Sequence, residues 1–105
     1  PIEKVITFLH KHSHQTITLE QAAKEAGMSP YSLSKRFKEE KGINFIDYLT
    51  ALRIEKAKTL LQDPSRSLKE ICYTVGYHDP NYFSRVFKRI TGVSPTEYRE
   101  KMRTL

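Results

Sequence analysis

Asn81, Ser84, Arg85, Lys88 and Arg89 fall close together in one stretch of sequence, and their side chains carry the hydrogen-bonding groups that nucleobases present in complement. Arginine can donate two parallel bonds to guanine O6 and N7, asparagine can pair with adenine N6 and N7, and serine is a short donor or acceptor. At about 100° per residue on a helix, Asn81, Arg85 and Lys88 centre one side, with Ser84 and Arg89 flanking it. Phe83, Val86, Phe87 and Ile90 cluster on the opposite side and are expected to face a core. Lys88 and Arg89, a turn further along, suit phosphates, which position a helix without specifying sequence.

The same arrangement occurs earlier. With Leu33 and Phe37 inward, Tyr31, Lys35 and Lys38 face outward and Ser34 flanks them. Asn81 then corresponds to Tyr31, Ser84 to Ser34, Arg85 to Lys35 and Lys88 to Lys38. Tyr31 can touch a thymine methyl or a phosphate, and Lys35 can contact guanine as a point charge, less selectively than arginine. Each face taken singly also fits a solvated basic surface, since charged helix faces are common. Two matching faces after two matching turns favour recognition.

The elements that hold these faces repeat as well. Leu19 aligns with Leu68 and Gly27 with Gly76 at a spacing of 49, and Pro30 with Pro80, Phe37 with Phe87, Gly42 with Gly92 and Tyr48 with Tyr98 at a spacing of 50. Leu19, Ala22, Ala23 and Ala26, like Leu68, Ile71, Cys72 and Val75, recur at i, i+3, i+4 and i+7, the apolar stripe of a short amphipathic helix. Thr18 with Gln21, and Ser67 with Glu70, have capping-box spacing at the starts. Gly27 and Gly76 stop these helices, and Ser29-Pro30 and Asp79-Pro80 open the next ones, which run to Gly42 and Gly92. Each copy is therefore helix, tight turn, helix. Ile2, Val5, Ile6 and Leu9 predict a leading helix, and Ser94-Pro95-Thr96-Glu97 caps a closing one.

Between the copies, Asn44 opens a helix predicted from about Phe45 to Gln62, ended by Asp63-Pro64-Ser65. Phe45, Tyr48, Leu49 and Leu52 share one face and Ile54, Ala57 and Leu61 another, so each end is expected to serve its own core. The alternative is one helix buried along a broad face in an ordinary bundle. The fold class is all-α with seven helices. The first subdomain is expected over about 1–44, the linker helix over 45–62 and the second subdomain over about 67–105.

The 105 residues suffice for one small domain or two small cores sharing an element. Eighteen Lys and Arg against twelve Asp and Glu give a net charge of +6, which favours a polyanionic partner. The halves differ: residues 1–52 carry seven basic and six acidic groups, residues 53–105 eleven and six, so the second half should dominate affinity. The lone Cys72 excludes an intrachain disulfide or a multi-thiolate metal site and fits a reducing, cytoplasmic setting. No apolar run approaches a membrane span, and no signal peptide is recognisable. The chain begins at Pro1 rather than Met, as expected of a segment of a longer protein.

The duplicated helix-turn-helix with its long connecting helix, the run Gly76-Tyr77, Pro80-Asn81-Tyr82-Phe83-Ser84-Arg85-Val86-Phe87-Lys88, then Thr91-Gly92-Val93-Ser94-Pro95 and Tyr98-Arg99, closely resembles the AraC/XylS family of bacterial transcription regulators. The resemblance covers nearly the whole chain. It implies two homeodomain-like three-helical units whose recognition helices enter successive major grooves of double-stranded operator DNA. It implies activation of transcription through RNA polymerase, with a covalently attached upstream regulatory domain, and requires no cofactor. Carried over by position, the base-reading residues are Tyr31, Ser34 and Lys35 in the first helix and Asn81, Tyr82, Ser84 and Arg85 in the second. Lys38, Lys88, Arg89 and Arg36 are the phosphate candidates. Tyr82 lies toward the edge of its face, where packing is an equal role.

Two departures from the family pattern bear on the first reader. Arg36 stands where an apolar residue is usual and where the second copy has Val86, and Lys35 stands where arginine is more usual. Arg36 can lay its methylenes on the core edge and put its charge near Glu40 or a phosphate. Elsewhere, His10, His12 and His14 alternate, but an ending helix would put only His10 and His14 on one side, with no acidic or thiolate partner, so a solvated helix end is favoured over metal. Cys72 reads as packing. No Gly-rich phosphate loop, nucleophile elbow or metalloprotease motif occurs, and no catalytic residue is assigned. The competing function is a helical protein-interaction or dimerisation module whose basic surface never reads bases.

Overall fold

Helix-start and helix-stop chemistry sets the element order. The computed structural model describes residues 1–104, which form α1 (Ile2–His12), α2 (Leu19–Ala26), α3 (Pro30–Lys41), α4 (Phe45–Leu61), α5 (Leu68–Val75), α6 (Pro80–Thr91) and α7 (Pro95–Arg103), with no strand among the described residues. At α2 the Thr18 hydroxyl accepts from the Gln21 amide while the Gln21 side chain accepts from the Thr18 amide, a reciprocal capping box. Ser94 and Glu97 close the same box at α7. At α5 only half of the expected box forms. Ser67 Oγ accepts from the Glu70 amide, but the Glu70 carboxylate pairs with the Arg66 guanidinium at 3.6 Å, since an ion pair competes with the weaker back-bond.

Glycine decides the turns before the second helices. After α2, the Gly27 amide donates to Lys24 O and the Met28 amide to Ala23 O; after α5, the Gly76 amide donates to Tyr73 O and the Tyr77 amide to Cys72 O. Both are the paired bonds of a helix end that turns through left-handed backbone, with φ of 66° at Gly27 and 114° at Gly76, where a side chain would be strained. The residue that follows each glycine is thereby aimed back at the core: Met28 is half-buried and Tyr77 buried.

Two units result, residues 1–52 and 53–105, and α4 is divided between them. In the first, Ile2, Val5 and Leu9 of α1, Ala22 and Ala23 of α2, Leu33 and Phe37 of α3, and Phe45 and Leu49 of α4 form one buried cluster. In the second, Ile54, Ala57 and Leu61 of α4 join Ile71, Cys72 and Val75 of α5 and Phe83, Val86 and Phe87 of α6. The two faces of α4 thus serve two cores, and the alternative of one broad buried face is set aside. Aromatic rings fill both interiors edge to face: Phe37 lies 5.8 Å from Phe45 and 5.4 Å from Tyr48, and Phe87 lies 5.5 Å from Tyr98.

One inward assignment fails. Ile90 is 43% exposed, because the Phe87–Tyr98 pair closes the second core and the last turn of α6 runs on past it.

Candidate nucleic-acid interface

The outward faces of α3 and α6 are built by what lies beneath them. On α6, Phe83, Val86 and Phe87 are buried, which fixes the rotation of the helix and turns Asn81, Arg85, Lys88 and Arg89 to solvent, with Ser84 half-buried beside them. On α3 only Leu33 and Phe37 are buried, and Tyr31, Ser34, Lys35, Arg36 and Lys38 are exposed. Tyr31, at 77% exposure, is the most exposed of the large apolar side chains among the described residues. Each set of predicted readers therefore shares one accessible face of its own helix.

The helix starts add backbone donors. Ser29 Oγ accepts from the Ser32 amide and Asp79 Oδ1 from the Asn81 amide, at 3.1 and 2.9 Å, so each cap satisfies one free amide. Among the described residues, Lys35, Arg85, Lys88 and Arg89 enter no salt bridge, which leaves their charges available to a polyanion. Arg36 differs: its guanidinium lies 3.3 Å from Glu40 one turn on, as the spacing predicts. Lys38 Nζ reaches Gly42 O at 3.5 Å, at the end of α3. The Arg85 guanidinium sits over the Tyr82 ring, 5.9 Å from its centroid.

The remaining chemistry-bearing residues stay outside these faces. His10 Nε2 lies 3.2 Å from the Tyr48 hydroxyl and His12 Nδ1 lies 3.2 Å from Gln15 Oε1. No group of three or more metal-ligating side chains assembles among the described residues. Burial pushes the Cys72 thiol up, and the Asp79 carboxylate adds to the effect, so the thiol is held in its unreactive form. No helix among the described residues is long and apolar enough to cross a membrane.

Comparison with known proteins bears on the two faces together. The family model described as a helix-turn-helix domain matches residues 22–101. The C-terminal domain of AraT, a response regulator from Geobacillus stearothermophilus, has the same fold at a TM-score of 0.91 and 40% identity, covering 95% of this chain and 84% of that one. The chain belongs to the AraC-type helix-turn-helix family. It is a DNA-binding domain of transcription regulation. The transcriptional activator Btr of Bacillus subtilis is 42% identical over 102 residues, 97% of this chain. The DNA-binding domain of AdpA, a global transcriptional factor solved in complex with a target DNA, superposes at a TM-score of 0.93 with 28% identity, covering 99% of this chain and 94% of that one. This AraC-type domain spans 19% of the length of Btr.

Two residues of the second unit make long-range contacts that carry no signal at helical spacing. Arg99 of α7 donates to Leu61 O at 3.0 Å, Asp63 O at 3.3 Å and Arg66 O at 2.7 Å, placing a fixed positive charge on the carbonyl end of α4 and tying down the loop that follows. Arg53 of α4 lies over the Tyr77 ring, 5.3 Å from its centroid. Their partners are backbone carbonyls or a ring more than twenty residues distant, so only the folded chain reveals them.

Proposed function

We propose that this AraC-type domain reads double-stranded operator DNA with α3 and α6, each laid in a major groove, the two grooves being successive on the duplex. Asn81, Ser84 and Arg85 read bases from α6, with Tyr82 at the edge of that face; Tyr31, Ser34 and Lys35 read from α3. Lys38, Lys88, Arg89 and Arg36 bind phosphates. The observation that carries this reading is the pair of corresponding exposed faces, each rotated outward by its own buried anchors and each bearing cations outside any salt bridge, Lys35 on α3 and Arg85, Lys88 and Arg89 on α6.

The domain serves as the output module of a bacterial, cytoplasmic activator, joined covalently to an upstream regulatory domain and acting through RNA polymerase. Binding is its whole activity; it performs no reaction and takes no cofactor. Support for activation comes from relatives such as Btr, which is named an activator. The test is binding to duplexes selected from a random pool, titrated with salt. Neutralising about six phosphates predicts a slope of log K against log[salt] near −5. The recovered sites should contain two half-sites about ten base pairs apart. A salt-independent interaction and no enriched sequence would instead mark a protein-interaction module with a non-reading basic surface.

A further inference from the structure

We propose that Tyr82 is a positioning residue for Arg85, and that Tyr77 and Arg53 brace it from below, so that the second reader is set before DNA arrives. The inference rests on Arg85 being a base reader, as proposed above. Four side chains from three segments run cation, ring, ring, cation. Arg53 of α4 lies 5.3 Å from the Tyr77 centroid, the Tyr77 and Tyr82 centroids are 6.0 Å apart with planes tilted by 59°, and the Arg85 guanidinium lies 5.9 Å from the Tyr82 centroid.

Each contact falls within the range in which a ring's negative face attracts a cation or a neighbouring ring's edge. Tyr77 is the fixed member of the stack. It follows the left-handed Gly76, its amide is held by Cys72 O at 3.0 Å, it is 7% exposed, and its ring lies 5.6 Å from the buried Phe83. Tyr82, 48% exposed, rests on that base one turn before Arg85.

A guanidinium must hold its planar fork in one orientation to donate both bonds to a guanine edge, and a free arginine loses rotamer freedom in doing so. A ring beneath it removes part of that freedom in the unbound state. The repeat supplies an internal control. The positions corresponding to Tyr77, Tyr82 and Arg85 in the first copy are Met28, Ser32 and Lys35, so neither supporting position carries a ring in the first copy.

The experiment uses the chain with duplexes it selects from a random pool, altered one base pair at a time. Arg85→Ala first identifies the pair that Arg85 reads. Tyr82→Leu is then expected to lower discrimination at that same pair by about two- to fivefold while leaving the salt slope unchanged. Tyr82→Phe, which keeps the ring, should retain discrimination, and Arg53→Met should shift it in the direction of Tyr82→Leu by a smaller factor. Thermal unfolding of each variant confirms that the folded protein is what is assayed.

Unchanged discrimination at the Arg85 pair in Tyr82→Leu would overturn the positioning role. So would a changed preference at another pair in Tyr82→Phe, which would make the hydroxyl itself a reader. Both results leave the Arg85→Ala effect intact. If Arg85→Ala relaxes no base pair, Arg85 is removed from the readers and the role of Tyr82 goes with it.

Discussion

The units over 1–52 and 53–105 start from the same plan and differ in how their reader helices are held. α3 and α6 each have twelve residues, begin with proline after a polar cap and end at a left-handed glycine. Leu33 and Phe37 anchor α3; Phe83, Val86 and Phe87 anchor α6. Where Val86 is buried, Arg36 is exposed and paired with Glu40. Where Tyr77 and Tyr82 stand behind Arg85, the matching positions behind Lys35 are the ringless Met28 and Ser32. Two inward anchors therefore suffice to rotate a reader helix correctly, and the third anchor and the ring stack add definition to the face. The second unit also holds the larger positive balance, so affinity and selectivity are expected to be concentrated there.

The sharpest test of the shared plan is the pair Phe37→Ala and Phe87→Ala. Both rings are fully buried, so each should lose roughly 3 to 5 kcal/mol of stability through an unfilled cavity, read by denaturant unfolding. A loss in one unit and none in the other would mean that the two cores are not equivalent. Next, Arg85→Ala should cost about 1 to 3 kcal/mol on a selected site and relax one base pair, whereas Lys35→Ala should cost less and relax preference weakly, both read by competition binding. Equal losses would erase the distinction between the readers.

The third anchor can be probed directly. Val86→Arg puts a charged chain into a filled site and should cost about 1 to 3 kcal/mol, while Arg36→Ala should cost only about 0.3 to 0.5 kcal/mol, the worth of an exposed pair one turn apart. A large loss for Arg36→Ala would give that side chain a packing role it lacks here.

The smallest expected effect separates the capping boxes. The box at α2 uses the neutral Gln21 amide, whereas the box at α7 uses the Glu97 carboxylate, which bonds from the backbone and hydroxyl of Ser94 hold below its usual value of 4.5, with Lys88 and Lys101 contributing. A carboxyl with a lowered folded pKa adds stability above its unfolded value, and that contribution is lost as pH falls through the folded value. Thermal unfolding of Glu97→Gln should therefore differ from the parent near neutral pH and converge with it in acid. Asp63, lowered chiefly by its bonds from the Ser65 hydroxyl and amide, follows the same sign. A difference that persists in acid would rule out the carboxylate as its source.

Much of this was legible from spacing. Caps at Thr18, Ser29, Asp79 and Ser94, stops at Gly27 and Gly76, and apolar residues at three and four apart depend on neighbours within one or two turns, which is the range over which sequence speaks directly. The inward anchors and exposed readers follow because a stripe must be buried and its reverse cannot be. Ile90 and Glu70 went otherwise for reasons local periodicity does not contain: how far a core extends beneath a helix, and whether a nearby guanidinium claims a carboxylate.

What sequence alone determined, then, is the duplicated arrangement of helices and the sides they turn outward, since both are written in short-range periodicity and backbone chemistry. Tertiary structure decided the rest. Arg99 met three carbonyls 33 to 38 residues away, and the stack from Arg53 to Arg85 arose because the middle of α4, the turn after α5 and the first turns of α6 converge around Tyr77. Contacts between residues distant along the chain depend on how the elements pack, and no residue in such a contact carries a local mark of its partner.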